Sequence, residues 1–301
     1  MKRLIILLML AACSPQGPQP PADPVVVYAA FTDDSAITAA FDRYKEETGV
    51  LVIVRRGPAD RIVGDLIDND VSPPADILMT DSVVPAWLAA EESALRPLVS
   101  ATLRDRVPAW ARDADDLWFG TRFHAAAIVH NMPDTDLSGV QSFAALAEQR
   151  FAGALCLTSS GLAINRAIIA IMINDLGVRP TELIVRDWVK NLAAPPFENE
   201  ARLVEAVQAG TCGVAIISEA AAIGSGLELQ QPVTAYGDVA TIGVGRHARN
   251  PEGASALVEW LITQVDTLQI DRDTPAERHN VSVVARNFDD AIRLAERARY
   301  P

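Results

Sequence analysis

Thr158-Ser159-Ser160-Gly161 is the stretch whose residue types point most directly to chemistry. It lies between a short apolar run, Leu155 to Leu157, and a long apolar stretch, Leu162 to Leu176. Strand, turn and helix in that order leave serine hydroxyls and backbone N–H groups at a helix N-terminus, where an anion is attracted. Serines there also serve simply to cap a helix, and the residues alone leave both readings open. Arg56, after the apolar run Val50 to Val54, supplies a cation that clamps carboxylate or phosphate through paired hydrogen bonds. Glu219, Asp81 and His124 are the side chains from which an oxygen-rich metal site could be built; they read equally as ordinary polar surface groups, and no metal is assigned.

Catalytic signatures are missing. The TSSG turn is not the GxSxG nucleophile elbow. His124, His130, His247 and His279 stand in no HExxH spacing, and neither a P-loop nor GxGxxG occurs. The sequence therefore reads as a binding protein, not an enzyme, with no cofactor.

The elements that must position these residues alternate. Val25 to Ala29 is a buried-strand pattern, followed by Ile37, Ala40, Phe41 and Tyr44 at helical spacing with Gly49 as the stop. Val50 to Val54, Ile62 to Ile67 and Ala75 to Thr80 continue strand, helix, strand. A second set follows: strand at Ala125 to Val129, strand at Leu155 to Leu157, helix from Leu162 to Leu176, helical Trp188 to Leu192, helix at Arg202 to Ala209, strand at Val214 to Ile217, strand-like Val239 to Val244, and helices at Pro251 to Val265 and Phe288 to Arg297. This alternation predicts an α/β fold with mostly parallel sheets. In such sheets ligands sit beyond the carboxyl ends of strands. Phe31, Thr32, Arg56, Thr80, Asp81 and Ser82 occupy those positions, and Ser218 and Glu219 follow the strand Val214 to Ile217.

With 301 residues, 50% hydrophobic and 22% charged, the chain is long enough for two domains and is neither disordered nor polytopic. Its net charge of −13, with no basic run, argues against nucleic-acid partners.

Residues 1–12 read as a signal peptide: Lys2 and Arg3, then the apolar Leu4 to Leu10, too short to span a membrane. Leu10-Ala11-Ala12-Cys13 resembles the bacterial lipobox, which implies lipidation of Cys13 and an anchor as the sole membrane contact. Residues 13–24 are Pro-rich and form a semi-extended tether. Ser14, where an Asp often retains lipoproteins at the inner membrane, favours the outer membrane and a periplasmic body. In such a space Cys156 and Cys212 either form a disulfide or remain two buried thiols.

In the order VVVY, PADILMT, WFG with AIVHN, CLTSSG, AGTCGVAI and HARNPEGA with LVEWL, the chain resembles periplasmic substrate-binding proteins of ferric-iron ABC importers, over residues 25 to about 285. The resemblance implies a two-lobed periplasmic binding protein fold, with two crossover strands near 123–130 and 238–246 and the ligand in the cleft. Lobe one would comprise 25–124 plus 239–278, and lobe two 125–238 plus 279–301. It implies a monomer that docks on permease subunits, and the paired cysteines fit some members. By the same resemblance, Ser159, Ser160 and Gly161 would hold an anion and Asn199 would add a contact.

The metal ligands of that family are not matched. Ser218-Glu219-Ala220-Ala221-Ala222 stands where adjacent tyrosines are usual, Ile164 where a further tyrosine is frequent, Phe31 or Thr32 for a His or Tyr, and Arg56 for an acid. Alanine and isoleucine offer no donor to Fe(III), and Arg56 would repel it. Anion-binding groups with apolar walls (Phe31, Ile164, Ala220 to Ala222) point instead to a small anionic ligand or a preformed metal chelate. Two other expectations stand beside this one: an accessory or adaptor lipoprotein that carries no solute, suggested also by the short stretch between Ile223 and Val239, and Fe(III) held by ligands other than tyrosine.

Overall fold

Apolar β-branched runs become strands, and each strand that leaves the sheet hands over to a helix. In a computed structural model describing residues 23–31, 35–68, 71–131, 137, 139–230, 232–266, 270 and 277–301 (277 and 278 by backbone only), the first lobe opens with β1 (Val25–Ala30), α1 (Ser35–Thr48), β2 (Val52–Arg56), α2 (Ala59–Ile67), β3 (Ile77–Thr80) and α3 (Val83–Glu91). Then come β4 (Leu95–Arg96), α4 (Ala101–Arg106) and the long β5 (Phe119–His130). The second lobe contains β6 (Leu155–Cys156), α5 (Ala163–Leu176), α6 (Val178–Asn191), α7 (Glu200–Gln208), β7 (Val214–Ser218), α8 (Glu219–Ser225), β8 (Glu228–Gln230) and β9 (Thr234–Ala235). β10 (Gly237–Gly245) returns to the first lobe, α9 (Pro251–Gln264) packs there, and β11 (Glu277–Arg278), α10 (Ser282–Arg286) and α11 (Phe288–Ala298) follow. The signal segment 1–12, Cys13, the tether up to residue 22, and Thr32 lie outside the described residues. No described helix is long and apolar enough to cross a membrane.

The strands run in the order β2-β1-β3-β10-β5-β7-β6, with β4 on β10 and β8 on β5. β1 is parallel to β2 and β3, whereas β10 is antiparallel to β3 and β5. β5 and β10 are shared by both lobes. The start of β5 pairs with β10, and its end, Ala126 to His130, pairs antiparallel with β7. Gly237 is required where they cross: a Cβ there would fall on the His124 carbonyl oxygen and 2.8 Å from the Phe123 ring.

Two main cores divide along this crossing. Val27, Tyr28, Ile77, Leu78, Trp118, Phe119 and Leu257 belong to the first. Phe143, Phe151, Leu155, Trp188 and Leu294 belong to the second. Alternation on β5 and β7 sorts the second lobe further: Ala126, Ile128, Val214 and Ile216 face the second core, while Ala127, Val129, Ala215 and Ile217 face a third, smaller cluster. Of the segment 279–301, Ala291, Leu294, Ala295 and Ala298 of α11 pack on the second core, whereas Val283 and Val284 of α10 and Phe288 at the start of α11 pack on the first. α10 therefore clasps the lobes together.

The third cluster contains the Cys156–Cys212 disulfide, which ties β6 to the loop before β7 across 56 residues. A cross-link of that span constrains the unfolded chain by about 4 kcal/mol. Replacing both cysteines by alanine is expected to lower the melting temperature, and reductant should lower that of the wild type but not of the variant. Insensitivity of the wild type to reductant would contradict a stabilising role.

Candidate functional site

β3 ends at Thr80, and the chain then turns sharply into α3. The turn is held by side chains. Thr80 Oγ1 donates to the Ser82 carbonyl at 2.6 Å, so the 2.7 Å contact with Thr241 on β10 has Thr241 as donor. Ser82 Oγ accepts from Val84 N as the N-cap of α3. Asp238, at the start of the crossover β10, accepts from Val83 N at 2.9 Å and from Val239 N at 2.7 Å. One buried carboxylate thus joins the interlobe strand to the first N–H of α3, where the helix dipole favours negative charge. The turn leaves Asp81 at the protein surface on the cleft side.

In the second lobe, Thr158 to Gly161 connects β6 to α5, and three of its backbone N–H groups are already used. Ser159 N donates to the Phe197 carbonyl at 2.9 Å, Ser160 N to the Pro301 carbonyl at 2.7 Å, and Gly161 N to Ser159 Oγ at 3.1 Å. Buried Asn165 donates to Thr158 Oγ1 at 2.8 Å and to the Ser159 carbonyl at 2.9 Å, and Tyr300 donates to the Thr158 carbonyl at 2.6 Å. Leu162 is the N-cap of α5 and gives no side-chain cap, so neither serine caps this helix. The turn is braced from within: these N–H groups meet protein acceptors in place of an open cradle.

Between the two turns lies a cavity of about 560 Å³, within the range of small-molecule sites. Lobe one lines it with Asp81, Ser82 and the facing sides of α2 and α3, lobe two with Gly161, Ala163 and Arg166, and Phe288, which packs on the first core, completes the wall. Asp81, Ser82 and Gly161 are the sequence-predicted residues brought together there. Arg56 is exposed at the end of β2, with Nη2 donating to Thr38 Oγ1 at 3.2 Å, and does not line the cavity. Phe31 packs on the first core and Ile164 in the second. Asn199 caps α7 by accepting from Arg202 N at 3.0 Å. Ser218 caps α8 and donates to Glu200 Oε2 at 2.7 Å, and Glu219 begins α8. Ala220 to Ala222 likewise do not line the cavity.

Sequence reading missed Arg166, Phe288 and the wall of α3. Two signals were available: Arg166 is the single basic residue of α5, and Val84 and Leu88 are one helical turn apart.

Burial and neighbouring charge perturb the titratable groups around these turns. Burial raises the Asp81 carboxyl pKa above its ordinary value. Burial also pushes Asp238 up to about 6, against its hydrogen bonds to Ser82, Val83 and Val239, and negative Asp81 adds to the rise. Burial lowers His124, as does the neighbouring Arg122 guanidinium. Among the described residues no three His, Cys, Asp or Glu groups gather as a metal site, so Glu219, Asp81 and His124 do not form one. All four tyrosines are elsewhere: Tyr28 donates to the Pro73 carbonyl, Tyr44 meets Trp260 edge-on, Tyr236 donates to Asp175 and Tyr300 to the Thr158 carbonyl.

The chain is 25% identical over 242 residues to iron uptake protein A1 of Synechocystis, covering 74% of this chain and 67% of that one. It is 23% identical over 194 residues to the Fe(3+)-binding periplasmic protein of Serratia marcescens, covering 64% and 56%. The chain is similar to the periplasmic ferric-iron-binding proteins. Solved members of this group share its two-lobed fold. The Trichodesmium IdiA (FutA) structure with iron and citrate ligands superposes with a TM-score of 0.82 at 24% identity, covering 92% of this chain and all of that one. The ferric binding protein from Campylobacter jejuni gives 0.78 at 20%, covering 92% and 100%. None of these relatives is described as an enzyme. No family model matches the chain.

The Asp238 bridge has a signed pH signature. In the unfolded chain this carboxyl titrates near 3.8 and in the folded chain near 6, so the folded state holds more protons between those values. Its contribution is therefore complete below about pH 4 and lost as pH rises through about 6. Asp238→Asn is expected to flatten the decline in melting temperature between about pH 4 and 6.5. An identical pH slope in variant and wild type would contradict the assignment.

Proposed function

We propose that the chain is the solute-binding component of an ABC importer and holds a small ligand in the cleft between its lobes. The cavity carries this reading: its walls come from both lobes, so a ligand touching both favours the closed arrangement. The guest carries a carboxylate or another anionic group, free or within a metal chelate, and Arg166 is the cation placed to meet it. A bare ferric ion fits poorly. It requires several anionic oxygens, and the cavity presents no tyrosine. The likeness to iron uptake and Fe(3+)-binding proteins supports iron-related transport as the setting, and a chelate would keep that setting without phenolate ligands.

In this account Cys13 is lipidated, residues 13–24 act as the tether, and the acidic body works in the periplasm, with the outer membrane favoured. The protein captures ligand as a monomer and delivers it to permease subunits.

Thermal melting with a panel of organic acids, phosphates, ferric citrate and ferric nitrilotriacetate, followed by small-angle scattering, tests the reading. A ligand at 100 times its Kd adds about 2.7 kcal/mol of stability. The expected result is a raised melting temperature and a smaller radius of gyration with an organic anion or chelate, and no tyrosinate–iron colour with ferric nitrilotriacetate. Stabilisation by Fe(III) with simple carbonate would instead support an iron site without tyrosine. Neither stabilisation nor closure with any compound would favour the adaptor.

A further inference from the structure

The cavity carries two kinds of charge on opposite lobes. Asp60, Asp81 and Glu92 line it from lobe one, and Arg166 lines it from lobe two. None of the four makes an ion pair within 4.0 Å with another described residue, although elsewhere Arg104 pairs with Asp116 and both Arg186 and Arg297 pair with Glu182. Arg166 lies over the Phe288 ring, 5.3 Å from its centroid. That stacking restrains the guanidinium while leaving its in-plane N–H donors available to a carboxylate.

Between the charges the walls are apolar. Val63 and Ile67 come from α2, Val84 and Leu88 from α3. Ile67 and Leu88 remain 38% and 51% exposed, so a guest's hydrocarbon portion would bury apolar surface left to solvent in the free protein. On the lobe-one side the carboxylates outnumber any cation, and Asp81 also feels the buried Asp238. A guest ammonium there relieves repulsion, whereas a second anion would add to it. A purely anionic guest suits only the Arg166 side.

We infer that the preferred ligand is a zwitterion with an apolar body, its carboxylate on Arg166, its ammonium at Asp81 and its hydrocarbon against α2 and α3. This rests on the solute-binding reading and narrows it to amino-acid-like compounds. Arg166 and Asp81 would then be specificity-determining residues on opposite lobes, joined through the ligand and not to each other.

Calorimetric titration of the purified protein tests this with L-leucine and 6-aminohexanoate as zwitterions, hexanoate as the acid alone, hexylamine as the amine alone, and ferric citrate as the chelate. At least one zwitterion is expected to bind about 10-fold or more tightly than hexanoate and hexylamine. Arg166→Gln should weaken it by about 10-fold and remove its advantage over hexylamine, while Asp81→Asn should remove its advantage over hexanoate. Circular dichroism melts establish that both variants fold, and Arg166→Lys should retain part of the affinity. Equal binding of hexanoate and the zwitterions, affinity unchanged in both variants, or no zwitterion binding would each overturn the inference. Small-angle scattering separates the failures. Closure with ferric citrate without any zwitterion binding leaves the solute-binding reading standing and this inference refuted; closure with nothing refutes both.

Discussion

The antiparallel ladder between β5 and β10 is the contact from which the remaining geometry follows. Each strand begins in one lobe and ends in the other, so backbone hydrogen bonds fix the lobes to a shared axis. The ladder needs close approach at Gly237, where any side chain would collide with the opposite strand. Immediately beyond it, Asp238 turns that axis into a support for the cleft by accepting the first N–H of α3. A hinge element and a wall of the cavity therefore share one buried carboxylate, and moving one without the other would leave that charge unpaired in the interior.

The second lobe is braced differently. Its wall at Thr158 to Gly161 is secured by Asn165, Phe197 and the residues Tyr300 and Pro301, which satisfy or occupy the turn's polar groups. A turn whose backbone N–H groups are used internally is a stiff platform, and only its hydroxyls are left to meet an anion. The charge that faces the cavity comes instead from Arg166, one turn into α5, steadied by Phe288 from α11. The walls are thus assembled from residues far apart in sequence, and the chain must complete both lobes before the cavity exists.

This explains what the sequence revealed and what it concealed. Strands were legible because buried runs such as Val25 to Ala29 have one periodicity and clear ends. The two-lobed architecture was legible because such runs recur in a recognisable order. Asp81, Ser82 and Gly161 were legible because strand ends face the cleft. Arg56 follows the same rule and still misses the cavity, because following a strand fixes the end of the sheet and not the direction of a side chain. The bracing of Ser159 and Ser160 was concealed for another reason: the partners of their backbone N–H groups, Phe197 and Pro301, are distant in sequence and invisible to local pattern. Phe288 was hidden likewise, being brought to α5 only by packing of the C-terminal helices.

The central claim is that the cleft holds an organic guest through Arg166 in place of a ferric ion through tyrosines. Native mass spectrometry with metal analysis, on protein isolated from its own cells under non-denaturing conditions, tests it most directly. The account predicts a stoichiometric organic adduct containing a carboxylate, greatly reduced in Arg166→Gln. Stoichiometric iron with no organic adduct, retained equally in Arg166→Gln, would contradict it.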